Sequence, residues 1–310
     1  MGEGAKTSLL QAAAQRILKI ECTDIALDRG GEPLLSILGP GAIFIDKQGQ
    51  ISFRFDVSSE QYKPFKKARL EHPRLPPAPP KDKDYYKLTA KSSSGQIWRG
   101  SLLEPEVNNL TPEGFWNGPG IAEGKVHELT FEEPADPSSP SYAELTIPNE
   151  LIIPRIQRVE ELSEPNYCYF DLEKEKIEIF VKGEYTEIHC LVKQDGISTN
   201  RHWRMIEAIE FAIGRSIYPC AILVRENRKS IVTLISTVLG TENEGQLLPP
   251  VNISGRVHHF PITELVKKFY AYVLPYIEEF PPVIALGLRA LRQAAIAQPD
   301  TKALVFFDNR

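Results

Sequence analysis

Long apolar runs are missing from this 310-residue sequence. Charges or prolines break each hydrophobic stretch within about ten residues, well short of the roughly 20 that a membrane-crossing helix needs. No membrane span is expected. The N-terminus, Met1-Gly2-Glu3-Gly4-Ala5-Lys6, has no basic stretch leading into an apolar one, and Lys6 stands where a myristoylation signal carries Ser or Thr. Secretion and lipid anchoring are disfavoured, and the cytoplasm is the expected compartment. Cysteine is scarce as well. Cys22, Cys168, Cys190 and Cys220 form no C-x-x-C pair and no Cys/His pair at metal-ligand spacing. They read as small buried thiols, with a Cys168–Cys190 disulfide as the open alternative, because both fall in neighbouring predicted strands.

Catalytic and cofactor signatures are equally sparse. No P-loop occurs, no G-x-G-x-x-G follows a predicted strand, and no G-x-S-x-G elbow is present. The six histidines, His72, His127, His189, His202, His258 and His259, make no helical i, i+4 pair with one another or with an acid. His202 and Glu207 are five apart and so fall on different helix faces. His189 and Cys190 are sequence neighbours on a predicted strand, which points them to opposite faces. No metal, no cofactor and no catalytic residue is assigned on these grounds, and an enzyme is the less favoured reading.

The charge that is present is unevenly spread. Net charge is −5, yet Glu60 to Lys91 holds nine Lys/Arg against four Asp/Glu, and Ser101 to Glu164 holds thirteen acids against three bases. Solvated loops with local bias account for this, and a basic and an acidic face are the alternative. Arg74 to Pro80 fits the R-x-x-P-x-x-P pattern read by SH3-type grooves, although a polyproline II connecting loop explains the same residues.

Period-two alternation dominates the first two thirds. Ile51, Phe53, Phe55 and Val57 alternate with Ser52, Arg54 and Asp56, and pair across Asp46-Lys47-Gln48-Gly49 with the run Ala42 to Ile45 to give a hairpin. A second hairpin turns at Ser92-Ser93-Ser94-Gly95, between Tyr85 to Lys91 and Gln96 to Leu103. Strands follow at Val126 to Phe131, Tyr142 to Ile147, Tyr167 to Leu172, Ile177 to Lys182, Tyr185 to Lys193, Ala221 to Arg225 and Ser230 to Val238. A short helix within Thr7 to Leu18 precedes a strand over Ile17 to Cys22. Between Asn200 and Gly214 the period changes: Met205, Ile206, Ile209, Ala212 and Ile213 recur at helical spacing, Ala208 and Phe211 widen the arc, and Arg204, Glu207 and Glu210 form a narrow polar stripe. The C-terminal region is helical, starting at Thr263-Glu264, kinked by Pro275, stopped by Pro281-Pro282 and resumed over Val283 to Gln298.

The expected fold is therefore α+β: a β-rich body over 1–255, sandwich-like, with antiparallel sheets and one packed helix, then a helical hairpin over 256–310. Long loops are expected over 60–84 and 104–165. Two C-terminal helices with so much apolar surface dock on the β-rich body, dimerise or belong to a longer protein, and a protein partner or self-association through them is expected.

The densest basic cluster is Arg201, Arg204, Arg215, Arg225, Arg228 and Lys229, with Trp203 and Tyr218 interleaved and only Glu207, Glu210 and Glu226 as acids. Guanidinium groups beside aromatic rings suit phosphate and base contacts, and make these residues, together with Trp98, the candidate binding set. The plain alternatives are arginines that solubilise the edge of a buried helix and a Trp98 that packs on the sheet.

The run Arg204-Met-Ile-Glu-Ala-Ile-Glu-Phe-Ala-Ile-Gly-Arg-Ser-Ile-Tyr-Pro, the hairpin around Gly49 and the Gly95-Gln-Ile-Trp98 segment resemble the N-terminal regions of large bacterial proteins of the ApeA type. The resemblance spans roughly Pro40 to Val238 and implies a β-rich part preceding a helical HEPN domain, in anti-phage defence by abortive infection. This sequence departs from the family in one respect. The HEPN ribonuclease motif requires an Arg followed four to six residues later by His, and no such pair occurs here. The resemblance then implies the sensing part without the ribonuclease site. The leading expectation is a non-catalytic recognition module for a protein, glycan or nucleic-acid cue. The alternative is a nucleic-acid-binding or nucleic-acid-processing enzyme that uses the Arg201 to Lys229 cluster, with Glu207 and Glu210 in the chemistry.

Overall fold

The computed structural model describes residues 3–29, 35–61, 86–102, 106–109, 120–136, 140–148, 167–171, 175–192, 201–213, 217–226, 228–237 and 262–273. The chain forms two units. The first takes Met1–Pro134 with Cys220–Ile222 and Ile231–Val238, and the second takes Ala135–Pro219, Leu223–Ser230 and Leu239–Arg310. This division lies inside the expected body. The boundary expected at 255/256 and the second C-terminal helix, Val283 to Gln298, lie outside the described residues, as do the R-x-x-P-x-x-P segment and His258-His259.

Unit 1 opens with helix α1 (Glu3–Ala14), followed by β1 (Lys19–Arg29), β2 (Leu35–Ile45), β3 (Ile51–Val57), β4 (Tyr86–Ser92), β5 (Ile97–Leu102), β6 (Glu106–Asn109), β7 (Gly120–Val126) and β8 (Glu128–Pro134). Its ladder runs β8-β5-β4-β1-β2-β3-β7-β6. Strands β7 and β8 are separated by His127 alone, yet β7 pairs with β3 and β8 with β5, at opposite ends of the run from β3 to β5. A single residue can join those ends only if the sheet curls round onto itself. Gly124 reports the same closure from inside: a Cβ there would lie 2.8 Å from the Phe53 ring and 2.9 Å from Leu102. Where the sequence suggested a sandwich, this unit forms one curled antiparallel sheet, with Phe53, Phe55, Trp98, Phe131, Ile25, Leu27, Ile37 and Ile43 in its core and Leu10, Ala13 and Ala14 of α1 also buried.

The seam is clipped by the end of a later strand, β14 (Lys229–Ile235). Ser236 Oγ accepts from Ile51 N at 2.9 Å and from Gln50 Nε2 at 2.7 Å, and donates to Val126 O. Ser236 N donates to His127 O, and Thr237 N to Gly49 O. The expected turn at Asp46 to Gly49 is present. The Asp46 carboxylate accepts from Gln48 N and Gln50 N at 2.8 and 2.9 Å, and Gly49 takes φ +83°, where an added Cβ would meet Thr237 Oγ1 at 2.4 Å. The turn at Ser92 to Gly95 also holds, with Gly95 at φ +88°.

Unit 2 holds β9 (Tyr142–Ile147), β10 (Tyr167–Asp171), β11 (Glu175–Val181) and β12 (Thr186–Val192). They order as β10-β11-β12-β9, all antiparallel, with β13 (Ala221–Glu226) next to β9. Two helices belong to it, α2 (Arg201–Ile213) and α3 (Ile262–Val273), and they pack on each other. Met205, Ile206, Ala208 and Ile209 of α2 are all buried, as the helical spacing required. Tyr270 of α3 donates to Glu175 Oε2 on the sheet face that carries Ile177, Ile179, Ile188, Cys190, Ala143 and Leu145, so α3 lies on the apolar side. The broad reading of an α+β, β-rich chain holds.

Two sequence expectations are corrected. The region 104–165, read as long loops with two short strands, carries four strands among its described residues, and Gly120, Ala122 and Gly124 of one of them pair with β3 despite their weak strand propensity. Cys168 and Cys190 lie on β10 and β12, with β11 between them. Two interstrand spacings, about 9.5 Å, exceed the Cα separation that a disulfide tolerates, and Cys190 is buried and outside any disulfide. Burial also pushes the Cys22 thiol up to about 11 and the Cys220 thiol up to about 12, so both are inert near neutral pH. Among the described residues no helix is long and apolar enough to cross a membrane.

Candidate functional site

Alternation along four strands sorts the side chains of unit 2 onto two faces. The face opposite α3 carries Tyr167, Tyr169 and Asp171 of β10, Lys176, Glu178 and Phe180 of β11, Glu187, His189 and Leu191 of β12, and Tyr142, Glu144 and Thr146 of β9. One row across the sheet reads Tyr169, Glu178, His189, Glu144, each paired with the next. Rings form a continuous ladder over this face. Tyr142 meets His189 edge-on at 5.6 Å, His189 meets Phe180 at 4.9 Å, Phe180 meets Tyr167 at 4.9 Å, and Tyr167 stacks on Tyr169 at 6.0 Å and 24°.

Carboxylates sit between the rings. Tyr142 donates to Glu144 Oε2 at 2.9 Å, and His189 Nε2 lies 3.5 Å from Glu187 and 4.0 Å from Glu144. These two acids are buried, and their environments push them apart. Burial raises Glu144, against the pull of His189 and the Tyr142 hydroxyl. The hydrogen-bonding reach of His189 lowers Glu187 and outweighs burial there, with Lys182 and Tyr185 assisting. Tyr142 is raised, first by burial and then by Glu144 beside it. Glu178 ends up lowered: burial pushes it up, but Lys176 and the Tyr167 hydroxyl together prevail.

Glu178 is more accessible than Glu144 and Glu187, its side chain 24% exposed. Its Oε1 receives both the Tyr167 hydroxyl at 2.6 Å and Lys176 Nζ at 2.8 Å, which fixes the carboxylate and leaves Oε2 without a partner among the described residues. Tyr169, directly across from it on β10, is 45% exposed. Lys182 stands over the Phe180 ring at 5.1 Å, and Arg225 over Tyr142 at 5.9 Å. Among the described residues no group of three or more His, Cys, Asp or Glu is arranged to hold a metal ion.

The described part of the candidate binding set read from the sequence is drawn from β5, α2, β13 and the turn into β14. Trp98 belongs to unit 1, is fully buried and packs edge-on against Phe131 at 4.5 Å, so no ligand stacks on it. Arg204 pairs with Glu207 one turn along α2, and Trp203 beside it is 38% exposed. Arg228 and Lys229 are exposed where β13 turns into β14, and Arg228 has φ 65°. Arg225 joins the aromatic face through Tyr142. The side chain of Arg201 and the whole of Arg215 lie outside the described residues. His189 and Cys190 do point to opposite faces, as expected.

The aromatic face itself escaped the sequence reading. Its signal was present: Glu144, Glu187 and His189 stand mid-strand, a position that acids disfavour, each on the parity opposite to an apolar run. No protein family, curated protein or solved structure matches the chain.

Proposed function

We propose that this chain is a recognition module without a reaction centre of its own, and that the aromatic face of unit 2 is its ligand-binding surface. The five-ring ladder from Tyr142 to Tyr169 carries this reading. Apolar rings facing away from a helix-covered core, with carboxylates fixed at intervals, supply contact area and orienting hydrogen bonds together. A pair of acids pushed in opposite directions also suits acid–base chemistry. Here, however, Glu144 accepts from the Tyr142 hydroxyl, and Glu187 lies 3.5 Å from His189 Nε2. Nucleic acid suits the face less, because Glu144, Glu178 and Glu187 would confront its phosphates.

The same reading places a helical hairpin at the C-terminus, attaching the module to a protein partner or a second copy. It sets the chain in the cytoplasm, in the anti-phage setting that the ApeA-type resemblance implies. Incubating purified protein with labelled RNA and DNA, with and without divalent metal, tests the non-catalytic claim. Intact substrate under all conditions is the expected result. Cleavage that disappears in Glu144→Gln or Glu187→Gln would overturn it.

A further inference from the structure

We infer that the ligand of this face is a neutral sugar ring, an assignment that rests on reading the face as a binding surface. The accessible part of the face has a defined chemistry. Tyr169 offers an exposed ring plane backed by Tyr167, which suits the flat C–H side of a pyranose. Directly across the strand pair, Glu178 presents Oε2, oriented because Oε1 is held by Tyr167 and Lys176. An ionised carboxylate accepts hydrogen bonds and donates none, so the ligand must bring the donors. Adjacent hydroxyls on a sugar edge meet that demand while its ring rests on Tyr169.

Charge complementarity then separates the sugar from other donors. Along β11 the face reads Lys176, Glu178, Phe180, and Lys182 follows just beyond the strand with its ammonium over the Phe180 ring. A cationic peptide approaching Glu178 meets a lysine on either side. A phosphate meets Glu178 itself, with Asp171 on β10 and the buried Glu187 and Glu144 behind it. A neutral ligand rich in hydroxyl groups meets neither repulsion. Glu187 and Glu144, both buried, flank His189 beneath the rings, and the sugar contacts are at Tyr169, Glu178 and the Phe180 edge.

The test titrates the purified full chain with neutral gluco-, manno-, galacto- and N-acetylglucosamine oligosaccharides by calorimetry. A polyuridylate RNA and an oligolysine peptide run in parallel. At least one neutral sugar should bind, and Tyr169→Ala and Glu178→Gln should each weaken it about tenfold or more, with thermal unfolding of both variants close to the parent. Absence of binding by every neutral sugar, or sugar binding that neither variant weakens, overturns the inference. RNA or peptide binding lost in the same two variants, without sugar binding, overturns the sugar assignment and leaves the recognition reading standing. Sugar, RNA or peptide binding indifferent to both variants defeats both.

Discussion

The two units use aromatic rings in opposite ways. In unit 1, Trp98, Phe131, Phe53 and Phe55 are sealed inside a closed sheet, each at most 2% exposed. In unit 2, Tyr142, His189, Phe180, Tyr167 and Tyr169 line the face opposite α3, and Tyr169 is 45% exposed. What differs is the company each ring keeps on its own parity. The sealed rings share their face with Ile25, Leu27, Ile37 and Ile43. The outward rings share theirs with Glu144, Glu178, Glu187 and Lys176, which cannot be enclosed without partners. Ring content alone does not mark a core; the neighbours two residues away do.

The largest expected break in that contrast is Trp98→Ala. Emptying the centre of the closed sheet should cost about 3–5 kcal/mol, read as a fall in the urea midpoint. Gly49→Ala follows, at roughly 1–3 kcal/mol, since it places a side chain at positive φ and against Thr237. Ser236→Ala should cost about 1–3 kcal/mol by leaving Ile51 N without its partner, while Val126 O keeps Gln50 Nε2. Tyr169→Ala should stay within about 0.5 kcal/mol of the parent in the same measurement, because an outward ring is dispensable to folding. A large loss there would mean that the ring supports the unit after all.

The acids sharpen the contrast with pH. Glu144 is raised in the folded chain, so its contribution is fully present below the unfolded carboxyl value and is lost as pH rises through the folded one. Glu187 is lowered, so its contribution is present above the unfolded value and is lost as pH falls through the folded one. Glu144→Gln should therefore gain on the parent as pH rises above the unfolded carboxyl value, while Glu187→Gln should fall behind as pH rises towards that value from below. Urea midpoints from roughly pH 2.5 to 8 read both windows, and a change of the same sign in both variants would contradict the assignment.

Local pattern carried much of the fold into the sequence. Period-two runs and Asp or Gly turn residues located both unit 1 hairpins and the strands of unit 2, because alternation and turn chemistry are set within a few residues. Closure was illegible, since it depends on β7 and β8 diverging to opposite ends of the ladder at one histidine. The site was half legible. His189 and Cys190 had their faces assigned, yet Tyr142, Glu144, Phe180 and Glu187 meet only through registers across β9, β12 and β11, and no single segment displays them. Arginine density is a different kind of signal: sequence proximity groups Arg204 with Arg225, and the fold pairs one with Glu207 and sets the other over the Tyr142 ring.

The Ser236 clip also bears on the order of synthesis. It joins residues 185 and 186 positions apart, so the strands Lys19 to Pro134 leave the ribosome long before their seam can be fastened. During that interval the strands of unit 2 emerge, and the nascent curled sheet has Gly49 O, Ile51 N and His127 O still open to water. A fragment ending at Pro134 should therefore be a poor surrogate for unit 1, and dissection of this protein should keep 220–238 in any piece meant to fold.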